Sequence, residues 1–302
     1  MFKGSITALI TPFADGEIDW KAFDSLVERQ IAEGSHGVVP CGTTGESPTL
    51  SHDEHKKIIE RTIQIVAKRI PVIAGSGSNS TREAIELTTH AKKAGADAAL
   101  IVTPYYNKPT QGGLYAHYKT IAEAVSIPII IYNIPGRSVI DMTNDTMARL
   151  AEIKNIVGVK DATADLARPL NLLNKVGPDF CQLSGEDATA TAFLAQGGHG
   201  CISVTSNAAP ALCAQMHEAW QKGDLAAMAV ARDALAPLHK ALFIESSPAP
   251  VKYAVSALGL CRDDVRLPLV KASDNARQAV DGALEFAGLT GTGKGPRLRA
   301  HG

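Results

Sequence analysis

The chain has 302 residues, 45% apolar and 20% charged, and its 30 Lys and Arg against 31 Asp and Glu leave a formal net charge of -1. That balance gives no electrostatic footprint for nucleic acid or an anionic membrane, and no apolar run approaches the ~18 residues of a membrane span. Its 5 cysteines, odd in number and without C-x-x-C spacing, argue against a disulfide framework or structural zinc and point to a reducing compartment, the cytoplasm.

The N-terminal stretch MFKGSITALITPF lacks the basic region and cleavage site of a leader and reads as a first strand over 5–13. Further β-branched runs follow at 37–42, 71–77, 98–106, 128–133, 156–162, 180–186 and 201–206. Helix-like stretches separate them. One starts at Ser51, with Glu54 completing an S-x-x-E capping box; another begins at Ser80 or Thr81, and a third follows Thr143. Each strand run is continuously apolar, which suits parallel strands buried on both faces. Eight such units predict an α/β fold, a (β/α)8 TIM barrel; a doubly wound open sheet is the alternative, and no dinucleotide fingerprint supports it.

The barrel is expected to span 1–222, closing near Ser206, with its last helix running to about Gln221. Residues 223–290 read as a C-terminal helical domain packed on the barrel, and 291–302, rich in Gly and basic residues without periodicity, as a disordered tail.

Barrel chemistry belongs at the carboxyl ends of the strands. Those ends carry Thr43 and Thr44, Tyr105 and Tyr106, Tyr132 with Asn133 and Arg137, Lys160, Gly185, and Ser203 to Ser206. With no histidine and few carboxylates, the set lacks the parts for metal hydrolysis or paired-carboxylate glycosidase chemistry. A lysine in an apolar pocket loses solvation of its charged form and can attack a ketone to form a Schiff base. Tyrosine and threonine hydroxyls suit the proton transfers this requires. From position alone, Lys160 is either such an amine or a solvated or salt-bridged lysine with Asp161 as neighbour. Strand alternation points Asp161 away, so it stays outside the catalytic set. The GTTGE turn (42–46) either offers backbone N–H groups to a carboxylate or is a flexible strand-to-helix turn. Arg137 either clamps a second carboxylate or lies on the surface.

GTTGES (42–47), TPYYNKP (103–109), YNIPGR (132–137), GVKDAT (158–163), LSGED (183–187) and GGHGCISVTSN (197–207), in this order over about residues 1–290, resemble the dihydrodipicolinate synthase family of pyruvate-dependent class I aldolases. The resemblance implies a barrel with C-terminal helices in a homotetramer, a dimer of dimers. It implies condensation of pyruvate with L-aspartate 4-semialdehyde on the route to diaminopimelate and lysine, with no cofactor. By motif, Lys160 would be the Schiff-base lysine. Tyr132, Thr43 and Tyr106 would form the proton relay, Tyr106 reaching a neighbouring subunit's site. Thr43 and Thr44 would hold the pyruvate carboxylate, Arg137 that of the semialdehyde, and Gly185 and the Ile202 backbone would line the pocket. Ser138 stands where the family commonly has threonine, and keeps the hydroxyl. Sialic-acid lyases and keto-deoxy sugar acid aldolases of the superfamily typically lack this arginine, so Arg137 favours the synthase over those alternatives. Lys160, Tyr132, Thr43 and Tyr106 together argue against a catalytically silent ligand-binding paralogue.

His52 and His55 form an H-x-x-H on one helix face, but no third ligand accompanies them, so a metal is not expected. In family members inhibited by lysine, positions matching Ser47, His52, His55, Asn79, Glu83 and Tyr105 line a lysine site at a dimer interface. All are polar here, and L-lysine feedback inhibition is expected.

Overall fold

The structure is a computed structural model and describes residues 1–291, so of the tail expected at 291–302 only Gly291 lies within the described residues. Eight parallel strands stand side by side in chain order: β1 (Gly4–Ala8), β2 (Gly37–Val39), β3 (Ile73–Gly75), β4 (Ala98–Val102), β5 (Ile129–Asn133), β6 (Ile156–Asp161), β7 (Cys181–Ser184) and β8 (Gly200–Ser203). β8 returns to pair with β1, Gly4 opposite Gly200. The last seam, β2 to β3, closes through a Val38–Val72 bridge, with Val38 N–H donating to Pro71 O and Gly75 N–H to Pro40 O, both at 3.0 Å. The expected (β/α)8 barrel is the observed fold.

Alternation along each strand sorts its side chains. Ile6, Ile73, Leu100, Ile130, Leu183 and Ile202 fill the interior, while Ile101, Ile129, Ile131 and Val159 pack outward against helical residues such as Leu114, Tyr118 and Ile121. In β6 the register against β5 slips, Ile129 facing Ile156 but Ile130 facing Gly158, so Val157 is an extra residue. This bulge resets the phase and brings Lys160 beside Tyr132.

The helices between strands are α1 (Trp20–Ala32), α2 (His52–Val66), α3 (Thr81–Ala94), α4 (Gln111–Ala124), α5 (Asn144–Ala151), α6 (Arg168–Val176), α7 (Ala190–Ala195) and α8 (Pro210–Gln221). The Ser51–Glu54 capping box forms, and Thr143 caps α5 through the Thr146 N–H. The first strand, by contrast, does not run to 13. Pro12 ends the apolar stretch, and Asp15 and Gly16, both at positive φ, turn Phe13–Ala14 back antiparallel onto Glu17–Ile18. β4 likewise stops at Val102, two residues before Pro104, not at 106.

Three helices follow: α9 (Leu225–Ala241), α10 (Ala249–Ala257) and α11 (Asp274–Phe286). Their main core is continuous with the barrel's outer layer, joining Ile10, Cys201 and Val204 to Leu235, Leu238, Val251, Val280 and Leu284.

Candidate active site

Lys160 is the penultimate residue of β6, only 6% exposed, its Cα in register with that of Tyr132. Its Nζ lies 4.1 Å from the centroid of the Tyr132 ring. Gly185, just past β7, makes room for it: a Cβ there would stand 3.1 Å from Lys160 Cε and 2.7 Å from Ala162 Cβ. Asp161 faces the other way. Its carboxylate accepts from the Thr163 N–H and hydroxyl at 2.9 and 2.7 Å and from Arg168 Nε at 3.2 Å, and Arg168 also binds Asp141. Among the described residues no carboxylate pairs with the Lys160 amine. The solvated and salt-bridged readings of this lysine therefore have no support in its surroundings.

The turn after β2 folds on itself. Gly42 O accepts from the Gly45 and Ser47 N–H groups at 3.1 and 3.4 Å, and Thr43 O from Glu46 N–H at 3.0 Å. The Thr11 hydroxyl donates to Gly45 O at 2.8 Å. The N–H groups of Thr43 and Thr44 find no acceptor among the described residues. Because a single 3₁₀ turn (Ser47–Thr49) precedes α2, an anion here would meet the turn's own amides, not a helix terminus.

Thr43, Tyr132 and Arg137 line one cleft of about 410 Å³, with Gly75–Gly77 and Val102 forming its wall. Lys160 is not among the residues that line it; its amine rests against the Tyr132 ring. Thr44 and Ile202 are buried at the cleft's margin and in the barrel interior. Arg137 sits on the helical turn Pro135–Ser138, and its guanidinium donates to Ser247 O at 3.3 Å, from the segment leading into α10. Ser138 is buried, with Thr103 Oγ1 3.2 Å from its hydroxyl. Tyr106 is not brought to this cleft. The residue is 89% exposed and held at φ 71°.

Ser47, His52, His55, Glu83 and Tyr105 line the same cleft; Asn79 does not, and instead donates from Nδ2 to Tyr105 O at 3.2 Å. His52 Nε2 lies 2.8 Å from Glu83 Oε1, and the Ser78 hydroxyl donates to the other oxygen. These bonds, Ser78's foremost, hold the Glu83 carboxyl below its ordinary range despite burial. His55 is buried with neither ring nitrogen partnered, and desolvation pushes its pKa down to about 4.

Two features escaped the sequence reading. Glu186, half-buried after Gly185, feels the charges of Lys160 and Arg137, while burial and Asp187 raise its carboxyl. Its signal was a pair of acids directly behind a strand end. Glu46, read as part of a glycine–threonine turn, is buried against Lys252, the one charged residue of α10.

The model of the dihydrodipicolinate synthetase family matches residues 1–287. A 4-hydroxy-tetrahydrodipicolinate synthase of Rhodospirillum centenum is 66% identical over 96% of this chain and 99% of its own. The structure of the chloride-inhibited dihydrodipicolinate synthase from Acinetobacter baumannii complexed with pyruvate superposes with a TM-score of 0.94, at 48% identity, covering 96% of this chain and 100% of that one. That of the Cyanidioschyzon merolae enzyme with lysine bound gives 0.92 at 39% identity, covering 96% and 99%. The chain belongs to the dihydrodipicolinate synthetase family.

Proposed function

We propose that this chain condenses pyruvate with L-aspartate 4-semialdehyde to 4-hydroxy-tetrahydrodipicolinate, on the route to diaminopimelate and lysine, through a Schiff base on Lys160. The observation that carries the reading is the buried Lys160 amine, ion-paired with no carboxylate among the described residues and set on the Tyr132 ring at the barrel's carboxyl end. Relatives at 57–66% identity carry this activity.

The chemistry follows from the groups at hand. The pyruvate carboxylate settles on the unpaired amides of Thr43 and Thr44, and the Lys160 nitrogen adds to the keto carbon. The keto oxygen departs as water, and a methyl proton is lost to give the enamine. The enamine carbon adds to the aldehyde of the second substrate, whose carboxylate Arg137 receives in its planar fork. The substrate's own amine then attacks the imine carbon, closes the ring and releases Lys160. One water is lost overall, and the lysine is the only electron sink required, so no cofactor enters. Tyr132, Thr43 and Tyr106 pass the protons, with Gly185 and Ile202 bounding the site.

Tyr106 serves a neighbouring subunit's cleft in a homotetramer; its exposure and left-handed backbone support that role. L-lysine is the feedback inhibitor, its ammonium meeting Glu83 among Ser47, His52, His55, Asn79 and Tyr105. Five cysteines that are all unpaired suit the cytoplasm.

Borohydride reduction with pyruvate, followed by peptide mass mapping, tests the reading. A pyruvyl adduct on Lys160, absent in Lys160→Ala, is expected; no adduct anywhere overturns the mechanism. Unchanged turnover at millimolar lysine removes the inhibitor assignment alone.

A further inference from the structure

The Glu46 and Lys252 side chains pair with no solvent exposure at all, one in the turn after β2 and the other on α10. Taking two opposite charges out of water costs more than their attraction returns unless the remaining hydrogen-bonding capacity is also used. Here it is used. Lys252 Nζ also donates to Asp264 O at 2.8 Å and lies 4.0 Å from the Phe13 ring centroid. The second Glu46 oxygen accepts the Arg266 N–H at 3.0 Å. The Arg266 guanidinium, 4.3 Å from the same ring, donates to both oxygens of Glu54 at 2.9 and 2.6 Å, to Thr49 O at 3.1 Å and to Gly16 O at 2.9 Å.

The Glu46 backbone shows what this cluster restrains. It sits in the left-handed region, φ 57° and ψ 36°, where a residue with a Cβ stays only if its surroundings over-determine it. Its N–H closes the turn onto Thr43 O at 3.0 Å, and its carbonyl accepts the Thr49 N–H at 2.9 Å. The turn so formed leaves the Thr43 and Thr44 amides free. An apolar pair could join α10 to the barrel equally well, but it would leave the Arg266 amide without its acceptor and the strained residue without a tether.

We propose that the Glu46–Lys252 pair, with Arg266, is a positioning device by which the C-terminal helices hold the Thr43–Thr44 amides in the geometry that receives a keto acid's carboxylate. This rests on the assignment of those amides to the pyruvate carboxylate. Glu46 and Lys252 touch no substrate; they act through the turn.

The test is steady-state kinetics of the full-length Glu46→Gln variant, which keeps the shape and the acceptor for Arg266 but removes the charge. The double variant Glu46→Gln/Lys252→Met, which leaves no buried charge unpaired, covers any failure of the single one to fold. The KM for pyruvate is expected to rise about tenfold with kcat within about threefold of the parent, because ground-state carboxylate binding is what loosens. Leu284→Ala, in the C-terminal core but outside the Glu46–Lys252–Arg266 polar cluster, is the control; it should lower Tm and leave KM unchanged. An unchanged KM in both charge variants overturns the proposal, as does an equal rise in Leu284→Ala. A missing Lys160 adduct in the parent enzyme would defeat the active-site reading itself; an intact adduct with unmoved KM removes only the positioning role.

Discussion

Crowding around Lys160 makes Gly185 a sensitive position. A methyl group there would meet Lys160 Cε at 3.1 Å, the far part of a flexible chain, and Ala162 Cβ at 2.7 Å, which is less free to yield. Gly185→Ala is therefore expected to fold, to displace the amine, and to lower kcat by about 100-fold, in line with the cost of a misplaced reacting group. Slower borohydride trapping of pyruvate on Lys160 would locate the loss in Schiff-base formation; an unaltered trapping rate would show that the lysine tolerates the methyl. The sequence made Lys160 legible because an ammonium at the end of a continuously apolar strand contradicts its surroundings. It also separated Lys160 from Asp161, since alternation survives translation into three dimensions. It could not show that the Lys160 amine would rest against the Tyr132 ring, because that depends on side-chain placement across two strands.

Among the elements, α2 joins the Gly42–Glu46 turn to the histidines of the cleft, and its start rests on the reciprocal bonds of Ser51 and Glu54. Ser51→Ala should cost about 1 kcal/mol of stability, the usual worth of an N-cap, measured as a lower denaturation midpoint with an unchanged slope. A loss well beyond that would mean that the Glu54–Arg266 contact depends on the cap as well. Caps were readable because they are local, a side chain and an amide three residues apart. Strand ends were not. The apolar pattern continues past the last ladder hydrogen bond, so runs read as 5–13 and 98–106 end in fact at Ala8 and Val102. The Phe13–Ile18 hairpin escaped for the opposite reason: two residues per strand are too few to display a period, and only the Asp15–Gly16 pair announced the turn. The Val157 bulge left no local mark either, although it decides which face Lys160 occupies.

For the molecule as a whole, burial of neutral histidines sets an acid limit. His55, His117 and His217 all have pKa values pushed down to about 4 by desolvation, from an ordinary 6.5. The unfolded chain thus takes up protons that the native chain refuses, so stability is complete above pH 6.5 and declines as pH falls toward 4. Chemical denaturation between pH 6.5 and 5, above the range of most carboxylates, should show this slope. His217→Gln should flatten it by up to about 1.4 kcal/mol per pH unit, one proton's worth; an unaltered slope would mean that His217 protonates without unfolding. Strand order around the ring was legible from eight repeated units, whereas the Glu46–Lys252 contact joins positions far apart in the chain and has no sequence period to reveal it. The β2–β3 closure carries a consequence of its own. Elsewhere the ring is held by ladders such as the five paired positions of β5 and β6, but this seam rests on the single Val38–Val72 bridge and the Gly75–Pro40 bond beyond it. Amide protons at Val38 and Gly75 should accordingly exchange with solvent before those of Ile131 and Val159, as local opening takes the least tethered joint first. Cys41 and Gly75, on either side of that joint, both line the cleft, so the barrel would breathe at the wall of that cleft.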